Sequence, residues 1–163
     1  MYQTREESIY KLKELIEGID FAMLTTISDG RFHSRPMSTQ QFEFDGSLWF
    51  FTGDQTHKVE EIQNDNRVNV AYSKPEDHTY VSVSGTAELV KDKAKIEELW
   101  NPILKAWFPK GLDDPTLTLL KISVEQAEYW DSPSSALVQI AGFLKAIATG
   151  EKAEGGDHGK ISF

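Results

Sequence analysis

Across the first eighteen residues the apolar positions fall at helical spacing. Ile9, Leu12, Ile16 and Ile19 form a stripe that Leu15 widens, which predicts a helix over 5–18. Thr4 with Glu7 three positions later is a capping box, and Gly18 is a stop. From Phe21 the period changes. Residues 21–27 are apolar on nearly both faces and read as a central strand. Ser28-Asp29-Gly30 is a hairpin turn, and 31–40 return as a second strand. Pro36 cannot donate to a ladder, so this strand lies on an edge or is bulged.

The alternation continues. Residues 41–44 alternate, Asp45-Gly46 turns the chain, and 47–52 form a strand rich in aromatics. Gly53-Asp54-Gln55 breaks it. Residues 56–64 read as a short helix with Val59 and Ile62 inward and the acids outward. Residues 67–72 and 79–90 are further strands, the second with Tyr80, Ser82 and Ser84 on one face, Val81 and Val83 on the other, and Gly85 bending it. Asp92 caps a helix through Trp100. Asn101-Pro102 starts another that carries Ile103, Leu104, Trp107 and Phe108. A last long strand spans 116–130. An apolar helix at 136–147 follows, with Leu137, Ile140, Ala141, Leu144 and Ile147 on one stripe. Antiparallel hairpins dominate and no βαβ alternation occurs. The fold class is mainly β: a barrel of six or seven antiparallel strands with peripheral helices. One domain over 1–150 is expected, with 151–163 a loose, charged, glycine-rich tail.

Composition narrows the functions. The 163 residues carry a net charge of -9, which disfavours nucleic acid and anionic lipid as partners. No apolar run is long enough to span a bilayer and no signal peptide opens the chain, so a cytoplasmic setting is expected. With no cysteine there is no disulfide, thiolate nucleophile or Cys-based metal site. His33, His57, His78 and His158 show no metal-ligand spacing, and no metal is expected. There is no Gly-x-Ser-x-Gly, Walker or Gly-x-Gly-x-x-Gly motif, and no residue stands out as a catalytic acid, base or nucleophile.

The positive signal lies in 33–58. Thr56-His57-Lys58 opens the short helix, where hydroxyl, ammonium and free amides converge on one point. Arg35 on the preceding strand can reach that point. An anion held against a -9 background needs such a local cationic pocket. The same residues also fit a capped surface helix with Lys58 in water. On the aromatic strand, Trp49 and Phe51 share a face opposite Phe50. One face is core, and the other meets a ligand, a second subunit or more core.

Taken in order, Ser34-Arg35-Pro36-Met37, Leu48 to Thr52, Lys58 and its helix, Gly85 with Ala87, and Glu128 to Asp131 resemble the FMN-binding split-barrel family, the pyridoxamine 5'-phosphate oxidase-like proteins. Trp107-Phe108-Pro109 and Lys145-Ala146…Thr149-Gly150 are similar to its general stress protein branch. The resemblance implies a split β-barrel homodimer with FMN sites at the interface. It implies that Arg35, Thr56 and Lys58, with His57 between the last two, hold the phosphate. Pro36, Met37, Phe51 and Thr52 would meet the ring edge, and Ser84 and Trp130 would approach from the barrel wall or the partner chain. The reaction expected is flavin-dependent reduction of a small molecule of unknown identity by a reduced nicotinamide. The alternative is a non-enzymatic flavin, deazaflavin or haem module for storage or sensing. Residues 151–163 lack the arginine that pyridoxamine-phosphate oxidases use for substrate phosphate, so that activity is not expected.

Overall fold

The structure, a computed structural model, describes residues 4–39, 44–132, 136–152 and 156–163, and only the backbone of 136–139. The predicted alternation at 41–44 therefore lies outside the described residues except for Phe44, which is buried. Helix α1 (Arg5–Ile16) begins with the expected capping box: the Glu7 N–H donates to Thr4 Oγ1 at 3.2 Å, and the Thr4 N–H donates to the Glu7 carboxylate at 2.8 Å. Strands β1 (Phe21–Ser28) and β2 (Arg31–Ser38) join through Asp29 and Gly30, with φ of 50° and 71°. That left-handed pair suits a tight hairpin.

Next come β3 (Ser47–Gly53), α2 (His57–Asn64), β4 (Arg67–Lys74), β5 (Thr79–Val90), α3 (Lys93–Leu99), β6 (Leu117–Asp131), α4 (Ala136–Thr149) and β7 (Asp157–Ser162). All pairings are antiparallel, in the order β2-β1-β4-β5-β6-β3, with β7 also on β6. Among the described residues no ladder joins β2 to β3, so the barrel is split between them, and proline-bearing β2 is an edge as expected.

The concave face is the main core. Leu24, Val70, Val83, Leu120 and Ile122 are fully buried there, and Leu12 of α1 plugs it. Each such side chain contributes roughly 1.5–3 kcal/mol. Phe51, Ile96, Leu99, Leu104, Leu117 and Leu119 form a second core under α3.

Three expectations need correction. Asp157–Ser162 is a strand of the sheet, with Ile161 buried, where a loose tail was expected. The second helix after Trp100 is a 3₁₀ turn at Pro102–Ala106, started by the Asn101 side chain accepting the Ile103 N–H. On α2 Glu60 faces water, but the Glu61 side chain is only 13% exposed and turns inward. Helix α4 forms as expected, yet among its described side chains the large apolar ones from Ile140 on stand in water: Phe143 is 61% exposed and Ile147 80%.

Candidate functional site

The inner face of β2 runs from core to solvent. Met37 is buried opposite Ala22, Arg35 is half-buried opposite Leu24, and His33 is exposed opposite Thr26. Helix α2 lies beside this gradient. Its Val59 and Ile62 point into the protein. Lys58 and Glu61, three residues apart, share a neighbouring face.

Here four side chains meet. Arg35 Nη1 donates to Thr26 Oγ1 at 2.8 Å and to the Leu24 carbonyl at 3.4 Å, and Nη2 donates to Glu61 Oε2 at 3.2 Å. The Thr26 hydroxyl, fully buried, donates to the same carboxylate. His33 Nδ1 stands 3.5 Å from Glu61 Oε1. The Thr26 bond first, and then the charge and bond of Arg35, hold the Glu61 carboxyl below its ordinary range against the opposing effect of burial.

Lys58 is different. It is half-buried, and among the described residues no carboxylate lies within ion-pair distance of it. Burial, and then the positive charge of Arg35, push its ammonium below the ordinary value of 10.5. The start of α2 adds to the positive field. Thr56 is the N-cap, but its hydroxyl donates to the Gly53 carbonyl at 3.1 Å and lies 3.4 Å from Thr52 Oγ1, so no side chain caps the first turn. Uncapped amides and an unpaired ammonium beside a guanidinium favour an anion. This donor set fits a phosphate group.

A second surface lies on the convex face of the sheet. The register aligns Ser34, Thr25, Asn69 and Ser84 in one row across β2, β1, β4 and β5. Thr25 and Ser34 hydroxyls are 2.6 Å apart, and Asn69 Nδ2 donates to Ser82 at 2.8 Å and to Ser84 at 3.5 Å. A parallel row places Ser73, Tyr80, Trp130 and His158 side by side. His158 stacks on Trp130, 5.1 Å between centroids and 11° between planes, while its Nε2 is 2.8 Å from Glu128. A stripe of neutral polar groups beside exposed aromatics can hold a flat, hydrogen-bonding ring.

The structure thus brings Lys58 beside Arg35, with Thr56 and exposed His57 at the start of the same helix. Pro36, Ser84 and Trp130 face outward on the convex side. The side chains of Met37, Phe51 and Thr52 are buried, and Phe51 makes edge contacts with Trp100 at 5.7 Å and lies 6.5 Å from Phe108. Both faces of the aromatic strand are therefore core. Sequence reasoning missed Thr26, Glu61, Asn69 and His158. Only Asn69 carried a signal, a lone polar residue across from the Ser82-Ser84 pair. Among the described residues no cluster of His, Asp and Glu could hold a metal, and no helix is long and apolar enough to cross a membrane.

Residues 7–154 match the family model described as "Pyridoxamine 5'-phosphate oxidase like". General stress protein 26 of Bacillus subtilis is 31% identical over 134 residues, spanning 80% of this chain and 93% of that protein. The solved general stress FMN/FAD binding protein from Xanthomonas citri is 30% identical, with a TM-score of 0.68 over 80% of this chain and 92% of its own. A solved Jannaschia structure, 24% identical, superposes with a TM-score of 0.76 over 94% and 97% of the two chains, which bears on the fold alone.

Proposed function

Because the chain belongs to the pyridoxamine 5'-phosphate oxidase-like family, in its general stress protein branch, we propose that it binds a flavin by its phosphate, as FMN. The observation that carries this is Lys58: a half-buried ammonium without an acid partner among the described residues, beside Arg35 and an uncapped helix start. The FMN/FAD binding named for the Xanthomonas citri protein supports the same reading. Lys58, Arg35, Thr56 and the amides of His57 and Lys58 hold the phosphate. The ring lies toward the convex face, near Pro36, Ser84 and Trp130, with the backbone of Met37, Phe51 and Thr52 behind it.

A homodimer completes the site. Exposed Phe143 and Ile147 on α4, with Phe21, Trp107 and Trp130, give one chain more apolar surface than a monomer ordinarily shows. The interface should exceed the standard size of about 1,600 Å². When bound, a flavin would supply the redox chemistry between a reduced nicotinamide and a small acceptor. The chain's own part is to bind and orient. A cytoplasmic setting belongs to the same proposal. The test is a titration of the flavin-free protein with FMN and with riboflavin, which lacks the phosphate. FMN should bind at least tenfold tighter, as expected for one charge-assisted bond of roughly 1.5–3 kcal/mol. Equal affinities would remove the phosphate assignment.

A further inference from the structure

Glu61 stands out within the cationic mouth. It sits three residues after Lys58 on the same helix, at the spacing where an ion pair with Lys58 would be ordinary. Instead, its carboxylate is spent on Arg35, Thr26 and His33. Thr26 accepts from Arg35 with the same hydroxyl that it donates to Glu61, so the three form a closed set. A guanidinium has five N–H donors. In Arg35 the Nη groups already serve Thr26, Leu24 and Glu61.

We infer that Glu61 is a specificity-determining residue of the anion site: an internal counter-anion that competes with the ligand's phosphate for Arg35. This rests on the phosphate reading of the same site. Arg35 and Lys58 give two positive charges and Glu61 removes one, so these three groups leave the pocket at +1. A phosphate monoester carries about -1.5 to -2 at neutral pH. The site is undercharged for that ligand, and Glu61 is the reason. Its presence steadies the two cations in the flavin-free protein, because two half-buried cations side by side repel each other. Its cost falls on the affinity for phosphate. No reaction at Glu61 is involved, and it acts through the charge it places beside Arg35.

The test is a charge-balanced cycle. Wild type, Glu61→Gln, Arg35→Gln and the double variant carry pocket charges of +1, +2, 0 and +1. FMN and riboflavin affinities are read from flavin fluorescence, and thermal shifts with inorganic pyrophosphate give an independent readout. Glu61→Gln should tighten FMN about fivefold or more, the scale of one added charge near the surface, with riboflavin little changed and the pyrophosphate shift larger. Arg35→Gln should lose FMN, and the double variant should recover to near the wild-type value. That recovery tests the proposal even if Glu61→Gln alone folds poorly. A double variant weaker than Arg35→Gln, or an FMN affinity unchanged or lowered in folded Glu61→Gln, would show that Glu61 is only a strut and overturn the inference while leaving the phosphate site standing. If no variant distinguishes FMN from riboflavin and none responds to pyrophosphate, both the inference and the phosphate reading fall.

Discussion

Replacing Lys58 by methionine should move binding and stability in opposite directions. The substitution keeps most of the apolar stem and removes the charge. One charge-assisted bond to phosphate is worth roughly 1.5–3 kcal/mol, so FMN should weaken roughly 10- to 150-fold while riboflavin is unaffected. The flavin-free protein should meanwhile be no less stable than wild type. Folding strips water from this ammonium and sets it beside Arg35, with no acid partner among the described residues. The pH dependence carries the same sign. The folded-state pKa of Lys58 lies below its ordinary value of 10.5. Between those two values the unfolded chain binds more protons than the folded one, so stability contributed by this group rises with pH there. Below the folded pKa the lysine is charged in both states and its full penalty remains. Urea unfolding of flavin-free wild type across the alkaline range below 10.5 should include this rise, and Lys58→Met should lack it. FMN binding in that window should take up protons, because a phosphate favours the charged lysine. A variant that binds FMN as tightly as wild type, or unfolds far more easily without flavin, would refute the reasoning.

Three further outcomes are expected. A Cβ on Gly85 would stand 2.2 Å from the Ser123 carbonyl oxygen, so Gly85→Ala should cost about 3 kcal/mol and lower the thermal midpoint by roughly 6–12 °C; an unchanged midpoint would contradict the close approach. If the proposed homodimer packs through α4, Phe143→Glu combined with Ile147→Glu should leave a single chain of 18.4 kDa in sedimentation, and a dimer surviving both charges would place the interface elsewhere. Pyridoxamine phosphate should not be oxidised by FMN-loaded protein, and turnover on the order of 1 per second or faster would move the chain among the vitamin oxidases.

The capping box, the Asp29-Gly30 turn and the strand periods were legible because each depends on neighbours close in sequence. β7 was not. In Asp157–Ser162 Ile161 is the one buried residue, and what orders the segment is the free edge of β6 rather than its own pattern. Lys58 and Arg35 were recognisable by type and position. The partner of Arg35 was hidden, because Glu61 lies 26 residues away and its inward turn depends on how α2 settles against β1. Likewise, Phe51 resembled a ligand platform until α3 was seen to cover it. For the Asn69 and Trp130 rows, the register between strands decided which residues became neighbours.

Strand β6 offers one edge to β5 along nearly its whole length and divides the other between two segments. β3 takes Leu117 to Ser123, and β7 takes Gln126 to Asp131. The handover falls at Val124 and Glu125, where the Val124 N–H donates to the Gly46 carbonyl and the Phe163 N–H to the Glu125 carbonyl, both at 3.1 Å. On the opposite edge the β5 register slips at the same level, between Ser84 and Gly85. The two halves of the zipper can therefore come undone separately. Peeling back β7 would leave the barrel's β3 ladder whole, yet it would bare the amides and carbonyls of alternate residues from 126 to 131, ready to template a strand from another molecule. Under heat or acid the first species to stick together would then be a folded barrel with its last strand loose, and those amides of 126–131 that face β7 would exchange with solvent well before those of 117–123 that face β3.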